Sequence, residues 1–158
     1  MRIRLFAMDV DGTMTDGKIY IGPAGEAMKA FHVKDGQGIA LLRKDGVITA
    51  IITARDSEIV NNRAKELAID EVLQNVKDKR DALSFLCEKY GILPEETAYI
   101  GDDIGDLEAM SFAGTAMCPS DAVPAVLDAA AEHVMPSRGG EGAVRDAAEW
   151  IIKYNTIG

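Results

Sequence analysis

Basic charge is in short supply. Over 158 residues, 17 Lys and Arg stand against 26 Asp and Glu, a formal net charge of −9. Such a surface repels the phosphate backbone, whose attraction to Lys and Arg supplies most non-specific nucleic-acid affinity, so nucleic acid and anionic membranes are poor partners. Cysteine is nearly absent. Cys87 falls in a predicted helix and Cys118 ends a predicted strand, so a disulfide scaffold is excluded and two reduced core thiols are expected. Long apolar runs are missing too. Met1–Met8 meets Asp9 before reaching signal-peptide length, and no run approaches the ~20 residues of a spanning helix; a cytoplasmic protein is expected. Repeats, linkers and low-complexity tracts are also lacking, which leaves a single domain over residues 1–158. Apolar residues at 47% and charged ones at 27% suffice for a sizeable core.

Short apolar runs alternate with segments of helical period. Strands are predicted at Ile3–Val10, Val47–Ile52, Val72–Leu73, Ala98–Ile100, Thr115–Cys118 and His133–Met135. Helices are predicted at Gly38–Lys44, Ser57–Leu67, Lys79–Tyr90, Asp103–Phe112, Val123–Ala130 and Ala143–Tyr154, several of them ending at Gly46, Gly91 or Gly114. This alternation implies an α/β fold with a doubly wound parallel sheet. One segment breaks the pattern: the β-rich runs Lys18–Ile21 and Met28–Val33 around Gly22-Pro23-Ala24-Gly25 predict a protruding hairpin at about 18–33.

In open parallel sheets the ligand crevice lies at the carboxyl ends of the strands. The first strand runs into Asp9-Val10-Asp11-Gly12-Thr13, the second into Thr53-Ala54-Arg55 and the fourth into Gly101-Asp102-Asp103, with Asp106 one turn on; Lys79 opens the helix after the third strand. Asp9, Asp11, Asp102 and Asp103 thus converge on one rim, where four like charges stay ionised only beside a cation. All-oxygen ligands without nearby His or Cys select a hard ion, most simply Mg²⁺. Beside a lysine, a threonine hydroxyl and helix N-termini, phosphate is the natural guest.

These four ordered motifs resemble those of the haloacid dehalogenase (HAD) phosphatase superfamily along the whole chain. The resemblance implies that Asp9 attacks phosphorus, that Asp11 protonates the leaving group and then activates water, and that Thr53 and Lys79 neutralise the transferring oxygens. It further implies Mg²⁺ held by Asp9, the Asp11 main-chain carbonyl and Asp102, with Asp103 and Asp106 orienting waters, Lys79 and the metal.

Many HAD phosphatases carry an inserted cap domain, for which the 43 residues between Asp9 and Thr53 and the 25 between Thr53 and Lys79 leave no room. The capless pattern, the hairpin, the run Ala30–Ile39, the segment Thr53-Ala54-Arg55-Asp56-Ser57 with Arg63, and Arg138-Gly139-Gly140-Glu141-Gly142-Ala143-Val144-Arg145 resemble the 3-deoxy-D-manno-octulosonate 8-phosphate (KDO 8-phosphate) phosphatase family. That resemblance implies a small-molecule sugar acid phosphate as substrate, a role in lipopolysaccharide biosynthesis, and a homotetramer in which a neighbour's hairpin covers the site. It also implies that His32, Val33, Lys34, Asp35 and Gly36 line the sugar pocket, and that Arg55 and Arg63 face the substrate's carboxylate end. Plainer roles stand beside these: His32 as a hairpin residue, Arg55 as a helix-end cap, Arg63 as a solvated helix residue. Phosphatases of nine-carbon sugar acids, of the KDN or N-acylneuraminate 9-phosphate kind, carry an acidic residue where this chain has Arg55. A third alternative is a non-catalytic regulatory HAD module linked to a sugar-acid cytidylyltransferase, against which the full set Asp9, Asp11, Thr53, Lys79 and Asp102 argues.

Overall fold

A strand apolar at every position must be covered on both faces, and the first one is. In the computed structural model, which describes residues 1–130 and 132–158, β1 (Leu5–Met8) is fully buried. After it, β2 (Tyr20–Gly22) and β3 (Gly25–Met28) form a separate antiparallel hairpin. The remaining strands, β4 (Ile48–Ile52), β5 (Glu71–Leu73), β6 (Thr97–Ile100) and β7 (Thr115–Met117), complete a parallel sheet in the order β5-β4-β1-β6-β7. Six helices cover it: α1 (Val33–Lys44), α2 (Glu58–Glu66), α3 (Lys79–Tyr90), α4 (Leu107–Phe112), α5 (Pro124–Ala129) and α6 (Ala143–Ile157). Phe6 and Met8 pack into a core shared with α1, α2 and α6, whereas Leu5 and Ala7 pack into one shared with α3, α4 and α5. The expected doubly wound α/β fold is therefore present, and Cys87 and Cys118 are free and buried in it.

Four expectations need correction. The hairpin is shorter than 18–33, because its second strand stops at Met28 and Val33 already opens α1. That helix starts five residues before Gly38: His32 caps it, its Nδ1 accepting the Lys34 N–H at 3.1 Å. Gly36 and Gly38 lower the helix propensity of this stretch, but packing overrides it. A Cβ at Gly38 would lie 3.1 Å from both Ala148 Cβ and Arg145 Cα, so its bare backbone lets α1 press against α6. The predicted helix Asp103–Phe112 splits into a 3₁₀ turn, Ile104–Asp106, followed by α4. Finally, the expected strand His133–Met135 shrinks to a single bridge between Val134 and Cys118, ended by Pro136.

The register positions the crevice. Met8 lies level with Ile51 on one side and Ile100 on the other. Asp9, Thr53 and Gly101-Asp102 consequently leave the sheet on the same edge, at the point where the chain winds away from β1 in both directions.

Candidate active site

Asp9 extends β1 by donating its N–H to Ile100 O at 3.0 Å, which fixes its backbone beside β6. Its carboxylate accepts from Lys79 Nζ at 2.9 Å, and the same ammonium reaches Asp106 Oδ1 at 2.8 Å. Lys79 can do so because it opens α3 behind the Asp78 cap, whose side chain accepts the Asp81 N–H at 2.9 Å. Asp106 is fully buried and saturated: Lys79 and the Tyr99 hydroxyl (2.5 Å) donate to Oδ1, and the Asp102 and Asp103 N–H groups (3.0 and 3.2 Å) donate to Oδ2. Its task is to hold Lys79 and the turn that carries Asp102. A Cβ at Gly101 would lie 2.3 Å from Asp106 Cγ, so glycine is what admits this carboxylate beneath the turn.

Asp9, Asp102 and Asp106 each bring a carboxylate oxygen within 4.8 Å of the others. Against these three charges the cluster sets one ammonium. Burial, then the Asp106 charge, pushes the Asp9 carboxyl well above the usual carboxylate range, and burial raises Asp102 as well. Burial alone would lower the Lys79 ammonium, but Asp9 and Asp106 outweigh it and hold it above its ordinary value. Tyr99 is likewise driven up by burial and by Asp106, so it remains a donor. Because both Asp106 oxygens are occupied, Asp9 and Asp102 are the carboxylates left to bind a hard cation, and the all-oxygen set fits Mg²⁺.

Other expected residues are placed less uniformly. Thr53 is buried at the end of β4. Asp11 lies at the rim, and Asp103 caps the following turn through Ile104 N–H at 2.7 Å. Arg55 reaches Glu26 at 3.5 Å. Arg63 is drawn instead towards the start of α1, with its guanidinium over the Phe31 ring at 5.4 Å and its NH2 donating to His32 O at 3.4 Å. Val33 and Lys34 face solvent, whereas Asp35 and Gly36 are buried. Asp35 ties α1 to α6 by accepting the Arg145 N–H at 3.0 Å, and burial raises its carboxyl. Among the described residues, no hydrogen bond or ion pair joins Arg63 or residues 32–36 to the Asp9 cluster.

Several contributors escaped the sequence reading. Tyr99 could have been found: a hydroxyl in a fully buried strand must have a partner. Glu26, beside the hairpin turn, and Lys29, at its base, carry no such signal. Lys29 Nζ lies 2.6 Å from Asp11 and 3.0 Å from Glu26, which in turn accepts from Ser57 Oγ at 2.6 Å. The loop Arg138–Gly142 braces the loop after β1. Gly140 N–H donates to Thr13 O at 3.1 Å, and Gly139 N–H donates to Asp121 Oδ1 at 2.9 Å. Any Cβ here would collide with backbone, at 1.9 Å from Gly12 O for Gly139 and 2.5 Å from Asp16 N for Gly140.

Comparison with known proteins agrees with this geometry. A family model described as haloacid dehalogenase-like hydrolase matches residues 32–114. The KDO 8-phosphate phosphatase of Escherichia coli K12 is 40% identical over 150 residues, covering 95% of this chain and 79% of the relative. A crystal structure of the Moraxella catarrhalis KDO 8-phosphate phosphatase, in complex with magnesium, phosphate and KDO, superposes with a TM-score of 0.94 at 42% identity, covering 98% of this chain and 88% of that one. The cobalt-bound phosphatase of Haemophilus influenzae gives the same TM-score at 37% identity, over 98% of this chain and 90% of that one. On this combined ground of sequence and fold the chain belongs to the haloacid dehalogenase-like hydrolases.

Proposed function

We propose that this protein is a Mg²⁺-dependent phosphatase that converts KDO 8-phosphate to KDO and phosphate through an aspartyl-phosphate. The observation that carries the reading is Asp9, a buried carboxylate aligned by Lys79, paired with Asp102 across the crevice and followed two residues later by Asp11. In the first step an Asp9 oxygen forms a bond to phosphorus while the bond to the sugar oxygen breaks, and Asp11 gives that oxygen a proton. In the second, Asp11 takes a proton from water, the water oxygen bonds to phosphorus, and the acyl-phosphate bond breaks to release phosphate and restore Asp9. Lys79 and Thr53 stabilise the transferring oxygens, and Asp106 holds Lys79 in place. Asp9, Asp102 and the Asp11 carbonyl would hold Mg²⁺, which when bound would neutralise phosphoryl charge.

Arg55 and Arg63 serve the carboxylate end of the substrate in this reading. The whole chain works as one domain in a cytoplasmic homotetramer, in which the tip of a neighbour's hairpin covers the site. The exposed side chains of Ile21 and Met28 on the hairpin, and of Val33 just beyond it, support that role. Steady-state rates on KDO 8-phosphate, KDN 9-phosphate and an aryl phosphate, with Mg²⁺ and with chelator, test the proposal. The eight-carbon substrate should have the highest kcat/KM, and chelator should abolish it; preference for the nine-carbon ester, or full activity in chelator, overturns it.

A further inference from the structure

Lys29 is the least expected buried charge in the molecule. It directly follows β3, and its side chain is only 2% exposed. Removing an ammonium from water costs several kcal/mol unless partners compensate, and here two carboxylates do: Asp11 Oδ1 at 2.6 Å and Glu26 Oε2 at 3.0 Å. Glu26 is itself anchored. It accepts from Ser57 Oγ at 2.6 Å and pairs with Arg55 at 3.5 Å, and the Ser57 hydrogen bond, foremost, holds its carboxyl below the usual range. Ser57 occupies the N-cap position of α2, yet its hydroxyl is turned to Glu26 and caps nothing. A cap of this kind is worth about 1 kcal/mol, so the local arrangement favours the hairpin contact over the helix end.

The result is a continuous polar chain, Asp11–Lys29–Glu26–Ser57, linking the loop after β1, the second strand of the hairpin and the loop after β4. We propose that Lys29 is a positioning residue for Asp11. It fixes the carboxylate at the height where the leaving oxygen departs, and Glu26 fixes Lys29. The hairpin therefore has two faces: Glu26 and Lys29 set the acid of its own subunit, and Ile21 and Met28 are left exposed. This inference rests on the reading of Asp11 as the proton donor.

A purely structural brace and a positioning residue differ in how their loss depends on the leaving group. An acidic phenol departs without a proton; a sugar alkoxide requires one. kcat/KM reports the steps up to departure, free of the later hydrolysis of the intermediate. It should be measured for KDO 8-phosphate, a simple alkyl phosphate and a series of aryl phosphates of graded phenol acidity. Asp11→Asn should lose about 100-fold or more on the alkyl esters and far less on the most acidic aryl ester. Lys29→Met should show the same tilt, with a loss of about tenfold or more on the alkyl esters, and Lys29→Arg should restore most of it. Glu26→Gln, which keeps shape and removes the anchor's charge, should tilt in the same direction and provides the test if Lys29→Met does not fold. A uniform loss across the series for the Lys29 and Glu26 variants, with the tilt retained in Asp11→Asn, overturns the positioning role alone. A uniform loss in Asp11→Asn as well overturns the assignment of Asp11 and the proposal with it.

Discussion

Replacing Gly12 by alanine should separate backbone strain from damage to the metal site. Gly12 has φ +90°, and a Cβ there would lie 1.9 Å from Asp102 Oδ2 and 2.5 Å from its Cγ. Gly46 offers a matched control, with φ +80° and nothing within 4 Å of its added Cβ. Both substitutions force a side chain into the left-handed region, at a cost of about 1–3 kcal/mol each. For a chain of this size that corresponds to a fall in Tm of about 2–12 °C. Only Gly12→Ala also displaces Asp102. Its carboxylate must rotate away from the crevice, because the backbone opposite is pinned by Gly139 and Gly140. Losing one of two free carboxylates should raise the Mg²⁺ concentration needed for half-activation by about 100-fold or more, since even the partners behind metal ligands are worth about 10–100-fold. Thermal unfolding in chelator and Mg²⁺ titration of activity measure the two effects independently. Equal stability losses with an unshifted Mg²⁺ requirement in Gly12→Ala would refute the placement of Asp102 as a ligand.

The remaining predictions concern charge and assembly. Asp9 and Asp102 have folded pKa values above the unfolded 3.8, so the metal-free folded state binds protons in that window more readily than the unfolded chain. Stability in chelator should therefore fall as pH rises from the acid range towards neutrality. Saturating Mg²⁺ should reverse the slope, and a chelator-treated protein with its highest Tm at neutral pH would contradict this. Below about 4.5 the trend should turn, because Glu26 and Glu71, held below their usual range in the fold, lose their stabilisation on protonation. Arg55→Ala should lower kcat/KM for KDO 8-phosphate by roughly ten- to a hundredfold while sparing an aryl phosphate, as expected for a lost charged contact of about 1.5–3 kcal/mol; equal losses would place Arg55 in the phosphate site or the fold. Placing charge at Ile21 and Met28 should shrink the assembly in light scattering and erode sugar selectivity, and a monomer with full kcat/KM would dispose of the shared lid.

What could be read from the sequence follows from how local each signal is. β1 and β4 are apolar at nearly every position, and a run buried on both faces needs no tertiary information to be recognised. Asp9, Asp102 and Lys79 stand immediately beyond strands or at a helix start, so topology alone collects them. The start of α1 was missed because Gly36 and Gly38 weaken helical character locally, while their benefit lies in contacts with Arg63 and α6 over a hundred residues away in the latter case. The β-branched side chain of Val33 favours a strand locally, but the cap supplied by His32 starts α1 there. Lys29 and Glu26 were missed for the opposite reason. Their neighbourhood looks like an ordinary solvated hairpin, and only folding of the ribbon over the loop after β1 buries the ammonium.

The contact of Gly139 and Gly140 with Gly12 and Asp16 has a consequence for the time course of biosynthesis. The loop that carries Asp9 leaves the ribosome well ahead of its brace, which follows 127 residues later. At about 5–20 residues per second, that interval is about 6–25 s. During it Asp9 and Asp11 are present but unsupported, and α6, which must press against α1, has not yet emerged. The support of this loop and the packing of α6 on α1 therefore both wait for residues 139–158. A chain that stalls or is clipped ahead of Gly139 carries Asp9, Asp11 and Asp102 but neither the brace nor α6.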